Sequence, residues 1–316
     1  MKDIKHIKVS NRKATFKLEL RRNITIICGD SGTGKTTLFN MIADYARLGD
    51  ASGVNLSSDN PCVALVDSPY WQKQLADTKD SIIFVDEGMK AIFSSDFAKA
   101  IRGSNNYYVI ITREALHELP YSVDEIYEIK TSGKIHTLRQ RYNAVDNKHT
   151  YIVGENKEEV ILTEDAKAGY EFFLNYANDK HLQCISAQAN SNIYKWLRDN
   201  PHVPTLVIAD GAAFGAEIDR VLKECKKSKG LHQLCLPESF EWLILKSGLV
   251  KVAGIEAVLD NPADYIESSN YFSWEQFFTA YLIECTNGTP FQYQKDKLNL
   301  VYVIPNNSEK ILKAIK

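Results

Sequence analysis

The chain has 316 residues, a net charge of −2, 44% hydrophobic residues and 25% charged residues. Ordinary globular composition at this length leaves room for two domains. It offers no apolar run long enough to span a membrane, no signal-peptide core at Met1–Lys5 and no global basic footprint for nucleic acid. A cytoplasmic protein is therefore expected, with DNA or RNA reached only through a local patch. Cys28, Cys62, Cys184, Cys225, Cys235 and Cys285 form no C-x-x-C pair. They are expected to be buried reduced thiols, and the seven dispersed histidines argue against structural zinc.

Residues 4–9 and 14–20 are expected to be strands, the second alternating as Thr15-Phe16-Lys17-Leu18-Glu19-Leu20. A β-branched strand at 23–28 follows. Residues 29–36 then read Gly-Asp-Ser-Gly-Thr-Gly-Lys-Thr, and Thr37 to Ala43 carries apolar residues at helical spacing. The loop fits G-x-x-x-x-G-K-[ST] at every fixed position and lies between a strand and a helix, as a phosphate-binding loop requires. Gly29, Gly32 and Gly34 let the backbone approach an anion. Loop amides and the helix N-terminus face the phosphates, Lys35 neutralises charge on them, and Thr36 supplies an oxygen to Mg²⁺. Gly29, Asp30, Ser31, Gly32, Thr33, Gly34, Lys35, Thr36 and Thr37 are the expected nucleotide-binding residues, and ATP with Mg²⁺ the expected ligand.

A short buried strand at 63–67 and an amphipathic stretch at 70–76 come next. Ser81-Ile82-Ile83-Phe84-Val85 then ends in Asp86-Glu87. Paired with the loop, this has the form of a Walker B strand. Asp86 would hold the Mg²⁺ shell and Glu87 would orient or deprotonate the attacking water. Tyr107 to Ile111 is a third buried strand, ending in Thr112-Arg113. Arg113 has two readings, a γ-phosphate sensor at a strand end or a surface arginine paired with Glu114 or Glu118. Residues 126–130 and 134–138 flank Thr131-Ser132-Gly133 as a hairpin.

The composition turns polar over 143–158, where a linker is expected. Strands at 160–163, 181–186, 205–209 and 231–236 then alternate with helices at 166–177, 192–199 and 217–226, which indicates a parallel sheet covered by helices. Glu164 and Asp210 follow the first and third of these strands. Neighbouring strand ends would bring them together as oxygen ligands for Mg²⁺ or Mn²⁺ in phosphodiester chemistry. The alternative is that Asp165 and Asp210 are helix N-caps. Residues 242–316 are expected to be mainly helical, with one more strand at 298–304. Phe277, Phe278 and Tyr281 have the spacing of a core face, with a base-stacking platform as the lesser reading.

The first part, through residue 140, resembles the ABC-type ATPase core in the minimal form of RecF- and OLD-like ATPases. The resemblance rests on the early antiparallel strand, the loop at 29–38, Val85-Asp86-Glu87 and Ile110-Ile111-Thr112-Arg113. No L-S-G-G-Q-like signature lies between the two motifs, and Arg113 stands where that family has its switch histidine. Gln72 and Gln74 fall near its Q-loop. Residues 155–250 resemble a Toprim domain, with Glu164 after the first strand and Asp210 as the first acid of Asp-x-Asp. The second acid position is Ala212, for which Asp165, Glu217 or Asp219 would have to compensate. Leu236-Pro237-Glu238-Ser239-Phe240-Glu241 resembles the acidic stretch of OLD-like Toprims; Glu238 and Glu241, three apart, are expected either to share a helix face or to mark a solvated helix start.

The resemblance implies an α/β chain with a P-loop NTPase domain of ABC-type core (1–142), a linker (143–158), a Toprim-like parallel α/β domain (159–250) and a mainly helical C-terminal extension (251–316). It implies an ATP-hydrolysing, metal-dependent nuclease of OLD-like layout, a homo-oligomer or a protein partner, and a place in defence against phage. Glu87, Lys35, Glu164 and Asp210 would be catalytic; Thr36, Asp86, Glu164 and Asp210 would be metal ligands. Ala212 motivates a second expectation, an ATP-driven switch or scaffold that binds without cutting. A small-molecule kinase with Asp67 as base is the third.

Overall fold

β1 (Lys5–Ser10) and β2 (Thr15–Leu20) alternate between buried and exposed residues, because one face of this antiparallel pair meets the core and the other meets water. β3 (Ile24–Cys28) is buried throughout. A computed structural model describes residues 2–142, 150–152 and 159–315. They form two compact units, residues 1–141 with 261–272 and residues 142–260 with 273–316. The extension expected at 251–316 is thus divided, since 261–272 belongs to the first unit.

In the first unit, α1 (Lys35–Leu48) follows β3 and buries Leu38, Phe39, Met41 and Ile42 on one face. β4 (Asn55–Ser58), β5 (Cys62–Leu65), α2 (Trp71–Asp77), β6 (Ile82–Val85), α3 (Ser95–Ile101), β7 (Tyr107–Ile111), β8 (Ile126–Ser132) and β9 (Ile135–Gln140) complete it. The sheet order is β4-β1-β2-β9-β8-β3-β7-β6-β5. β3, β5, β6, β7 and β8 run parallel to their neighbours in that half. β6 and β7, like β3, are buried along their whole length, as strands covered on both faces must be. The core under α1 joins Phe16, Leu18, Ile27, Phe84 and Val109 to the helix.

The second unit contains β10 (Thr150–Ile152), β11 (Val160–Thr163), α4 (Ala168–Lys180), β12 (Gln183–Ser186), α5 (Asn190–Asp199), β13 (Thr205–Ile208), α6 (Ile218–Lys227), β14 (His232–Cys235), α7 (Phe240–Lys246), α8 (Ile255–Asp260), α9 (Trp274–Thr286) and α10 (Pro305–Ile315). Its sheet order is β10-β14-β13-β11-β12. The four strands expected from the sequence are parallel, and β10 adds an antiparallel edge on β14. Of the linker expected at 143–158, residues 143–149 and 153–158 lie outside the described residues, and 150–152 pairs as β10.

Two expectations fail. Residues 298–304 form no strand; Leu300–Val303 is a 3₁₀ turn opened by the Asn299 side chain, which accepts the Val301 amide. Glu238 does not share a helix face with Glu241, because α7 starts only after Ser239, whose hydroxyl caps it. Phe277 and Phe278 are buried in α9, and Tyr281 stacks on Phe277 at 5.5 Å, so this aromatic group packs the core. Among the described residues no helix is long and apolar enough to cross a membrane.

Candidate functional site

The register of the first sheet places the ends of β3, β7 and β6 side by side. Ile27 pairs with Ile111 and Ile110 with Val85. The loop 29–36, Thr112-Arg113 and Asp86-Glu87 therefore leave the sheet at one edge, where ligands of open parallel sheets bind. Thr112 is buried, with its amide on Ile27 O and its hydroxyl exchanging contacts with the Glu114 backbone.

The loop has positive φ at Gly29, Gly32 and Gly34. Gly34 is the most constrained. At φ +97°, a Cβ there would lie 3.4 Å from the Phe16 ring and 3.7 Å from His136 Nδ1. Those two rings stack at 4.4 Å beneath the loop. Gly34 is also the N-cap of α1 and brings no side-chain cap, and the first turn holds no acid. The free amides of that turn are left for an external acceptor.

Lys35 is 5% exposed, and its ammonium folds back into the loop. Nζ donates to Gly29 O at 2.7 Å, Asp30 O at 2.6 Å and Thr33 Oγ1 at 3.2 Å. These neutral acceptors are weaker partners for an ammonium than a phosphate oxygen. Asp30, Ser31, Gly32, Thr36 and Thr37 are exposed around it.

Asp86 Oδ1 is buried without a hydrogen-bond partner. An unpaired buried carboxylate oxygen is costly unless a cation meets it, so this residue fits a Mg²⁺ shell. Glu87 and Arg113 are bound to each other: Arg113 Nε lies 3.0 Å from Glu87 Oε2, and Nη2 donates to Oε1 at 3.3 Å. Neither sequence expectation for Arg113 anticipated this partner. Gln74 donates to Ala64 O, so its amide serves packing of α2 on β5. Gln72 and Asp67 are exposed.

In the second unit, β11 and β13 are adjacent and parallel, and Glu164 and Asp210 come together as expected. The Asp210 amide donates to Glu164 Oε2 at 3.2 Å. Asp165 does something different. Its carboxylate accepts the Lys167 amide at 2.9 Å and the Gly169 amide at 2.9 Å, capping α4. Asp210 makes no such cap. Asp165 thus serves the start of α4 from outside the helix, whose N-cap residue is Lys167, and the Asp210 side chain serves no helix start.

The remaining candidate acids are committed elsewhere. Glu217 pairs with Arg220, and Asp219 accepts the Tyr142 hydroxyl. Ala212 is 2% exposed, and its amide donates to Glu238 O. A cavity of about 20 Å³ opens beside Glu164, Asp165 and Asp210, against Phe173 and Phe240. It has room for about one water or one small ion.

Sequence reading missed the group that surrounds these acids. Lys295 Nζ lies 2.5 Å from Glu275 Oε1 and 4.0 Å from Glu241 Oε1, and the Tyr293 hydroxyl donates to Glu241 Oε1 at 2.8 Å. α9, which carries Glu275, packs against the 211–213 turn that carries Ala212. Burial pushes Glu164 up to about 7, with the charges of Glu275 and Asp165 adding to it against the pull of the Asp210 amide. Burial also holds Asp210 well above the ordinary carboxylate range, reinforced by Glu275, Glu164 and Glu241. Burial disfavours the Lys295 ammonium, but Glu241 and Glu275 outweigh it and keep the charge in place.

No local pattern links residue 295 to residues 164 and 210; only the fold joins them. Among the described residues no three His, Cys, Asp or Glu side chains are grouped as a metal would need. No protein-family model matches the chain, and no curated protein matches it.

Proposed function

We propose that the first unit binds and hydrolyses ATP as a P-loop NTPase of ABC/RecF type, and that the chain works as an ATP-driven switch. The observation that carries this reading is the convergence of a glycine loop, an unpaired buried Asp86 oxygen and Glu87 at one sheet edge. Lys35 would leave the loop carbonyls for the β- and γ-phosphate oxygens. Asp86 and Thr36 would hold Mg²⁺, which supplies charge neutralisation on those phosphates. Glu87 would orient the attacking water once Arg113 releases it. The chain acts in the cytoplasm in this reading, with a homo-oligomeric or protein partner as the recipient of the switch.

The test is ATP turnover by purified protein beside Glu87→Gln and Lys35→Ala. Glu87→Gln should keep ATP binding and lose turnover by a factor on the order of 10²–10⁴; Lys35→Ala should lose binding. Full turnover in Glu87→Gln would exclude this assignment.

A second reading adds nuclease activity in the second unit, taken as Toprim-like. The contact between Glu164 and the Asp210 amide favours it; Ala212 and the Lys295 ammonium favour binding without cleavage. Plasmid nicking with Mg²⁺ or Mn²⁺, with and without ATP, decides between them when set beside Glu164→Ala.

A further inference from the structure

The solvent face of β4, β1, β2 and β9 carries a cavity of about 750 Å³ that the ATP reading leaves unused. Two neighbouring cross-strand rows line it, and they differ in charge. In the first, His6 sits between Asp59 at 3.2 Å and Glu19 at 3.6 Å, so acid and base alternate. In the second, Ser57 lies opposite Lys8, Lys8 opposite Lys17, and Lys17 beside Thr137; Lys130, opposite Thr137, lies outside the cavity lining.

Lys8 and Lys17 are exposed, and neither pairs with an acid among the described residues. Like charges directly opposite each other weaken a strand pair. The adjacent row shows that this sheet accommodates the stabilising alternation. Hydroxyl groups flank the two lysines, and Arg21, 4.0 Å from Glu19, lines the same cavity. A phosphate group seated between the two ammonium groups would remove their repulsion and accept from the flanking hydroxyls.

We propose that this face is a second ligand site, independent of the loop at 29–36, for a small phosphate-bearing molecule of nucleotide size. The cavity volume lies in the range of small-molecule sites. Only two lysines form the centre of the row and the chain carries a net charge of −2, which is not the long basic track that a nucleic acid strand follows.

Calorimetric titration of inorganic tripolyphosphate into the full chain carrying Lys35→Ala tests this with the loop ammonium removed. Binding should persist. Adding Lys8→Gln and Lys17→Gln should weaken it by about tenfold or more, while the low-salt melting temperature stays equal or rises. That combination separates a ligand site from a folding defect. A parallel titration with GMP distinguishes a nucleotide from a bare polyphosphate: tighter GMP binding assigns the former, tighter tripolyphosphate binding the latter. Loss of binding on Lys35→Ala alone, or an affinity unchanged by the two added substitutions, overturns the proposal. So does a DNA single strand of about 12 nucleotides binding on the order of a hundredfold more tightly than tripolyphosphate and lost in the same variants, which would make the face a nucleic-acid surface.

Discussion

Arg113 grips Glu87 through Nε and Nη2, at 3.0 Å and 3.3 Å, and so occupies the carboxylate that the proposed hydrolysis needs. Arg113 is 53% exposed and Glu87 38%, so the pair is screened by solvent and contributes about 1 kcal/mol or less. A latch that weak tunes turnover without blocking it. Arg113→Ala should raise basal ATP turnover by up to about fivefold and flatten its dependence on salt. A loss of more than about tenfold would instead mean that Arg113 serves the phosphate itself.

Asp86 carries a buried oxygen with no partner, so the nucleotide-free protein bears its cost. Asp86→Asn should leave the protein as stable as before, or more stable by about 1 kcal/mol, while nucleotide binding loses its response to Mg²⁺. Thermal melting with and without Mg·ATP reads both effects. A destabilised Asp86→Asn would show that the carboxylate supports the fold.

Gly34 is fixed by its conformation and by its neighbours at once. At φ +97°, with the Phe16 ring 3.4 Å from the position of a Cβ, Gly34→Ala should cost about 1–3 kcal/mol and displace the loop. Gly133, also at positive φ but with open space around it, should show only the conformational part of that cost. Urea denaturation of the two alanine variants makes the comparison.

Glu125 gives the first unit a dependence on pH. It is 1% exposed, and burial pushes it up to about 8 even though Arg22 Nε lies 3.8 Å away and Thr25 donates to it. The folded state therefore binds this proton more tightly than the unfolded chain. The stabilisation is complete below the ordinary value of 4.5 and is lost as the pH rises through about 8. Urea midpoints should fall between about pH 5 and about pH 8, and Glu125→Gln should remove most of that slope. An identical slope in the variant would assign it to other groups.

Among the described residues, Lys295 is the positive charge in ion-pair contact with both Glu241 and Glu275. Lys295→Met should destabilise the second unit by about 1–3 kcal/mol, allowing for its partial exposure, and Glu275→Gln in the same chain should recover much of it. Millimolar Mn²⁺ should raise the melting temperature of Lys295→Met more than that of the parent if a divalent ion can replace the ammonium. No difference would show that the acids do not take a metal even when the lysine is gone.

The amino-acid order alone determined the elements whose physics is local. Glycines at 29, 32 and 34 between a β-branched strand and an apolar-striped helix define the loop, and alternation along Thr15–Leu20 defines a half-exposed strand. Hydrophobic runs ending in Asp86, Glu164 and Asp210 marked the strand ends, because strand C-termini collect polar residues at a ligand edge. The turn at 300–303 and the start of α7 at Phe240 were misjudged, since short apolar runs suit several conformations and a single cap decides between them.

What tertiary structure decided is which distant side chains meet. Arg113 found Glu87 across the β6–β7 register, and Asp165 took the first amides of α4 while the Glu164 carboxylate met the Asp210 amide. Lys295, 131 residues after Glu164, came to rest among carboxylates of the same unit. Charge pairing acts through space and leaves no periodic trace in the chain. Residues 261–272 joined the first unit for the same reason: contacts among residues far apart in the chain, not their order, define a compact unit.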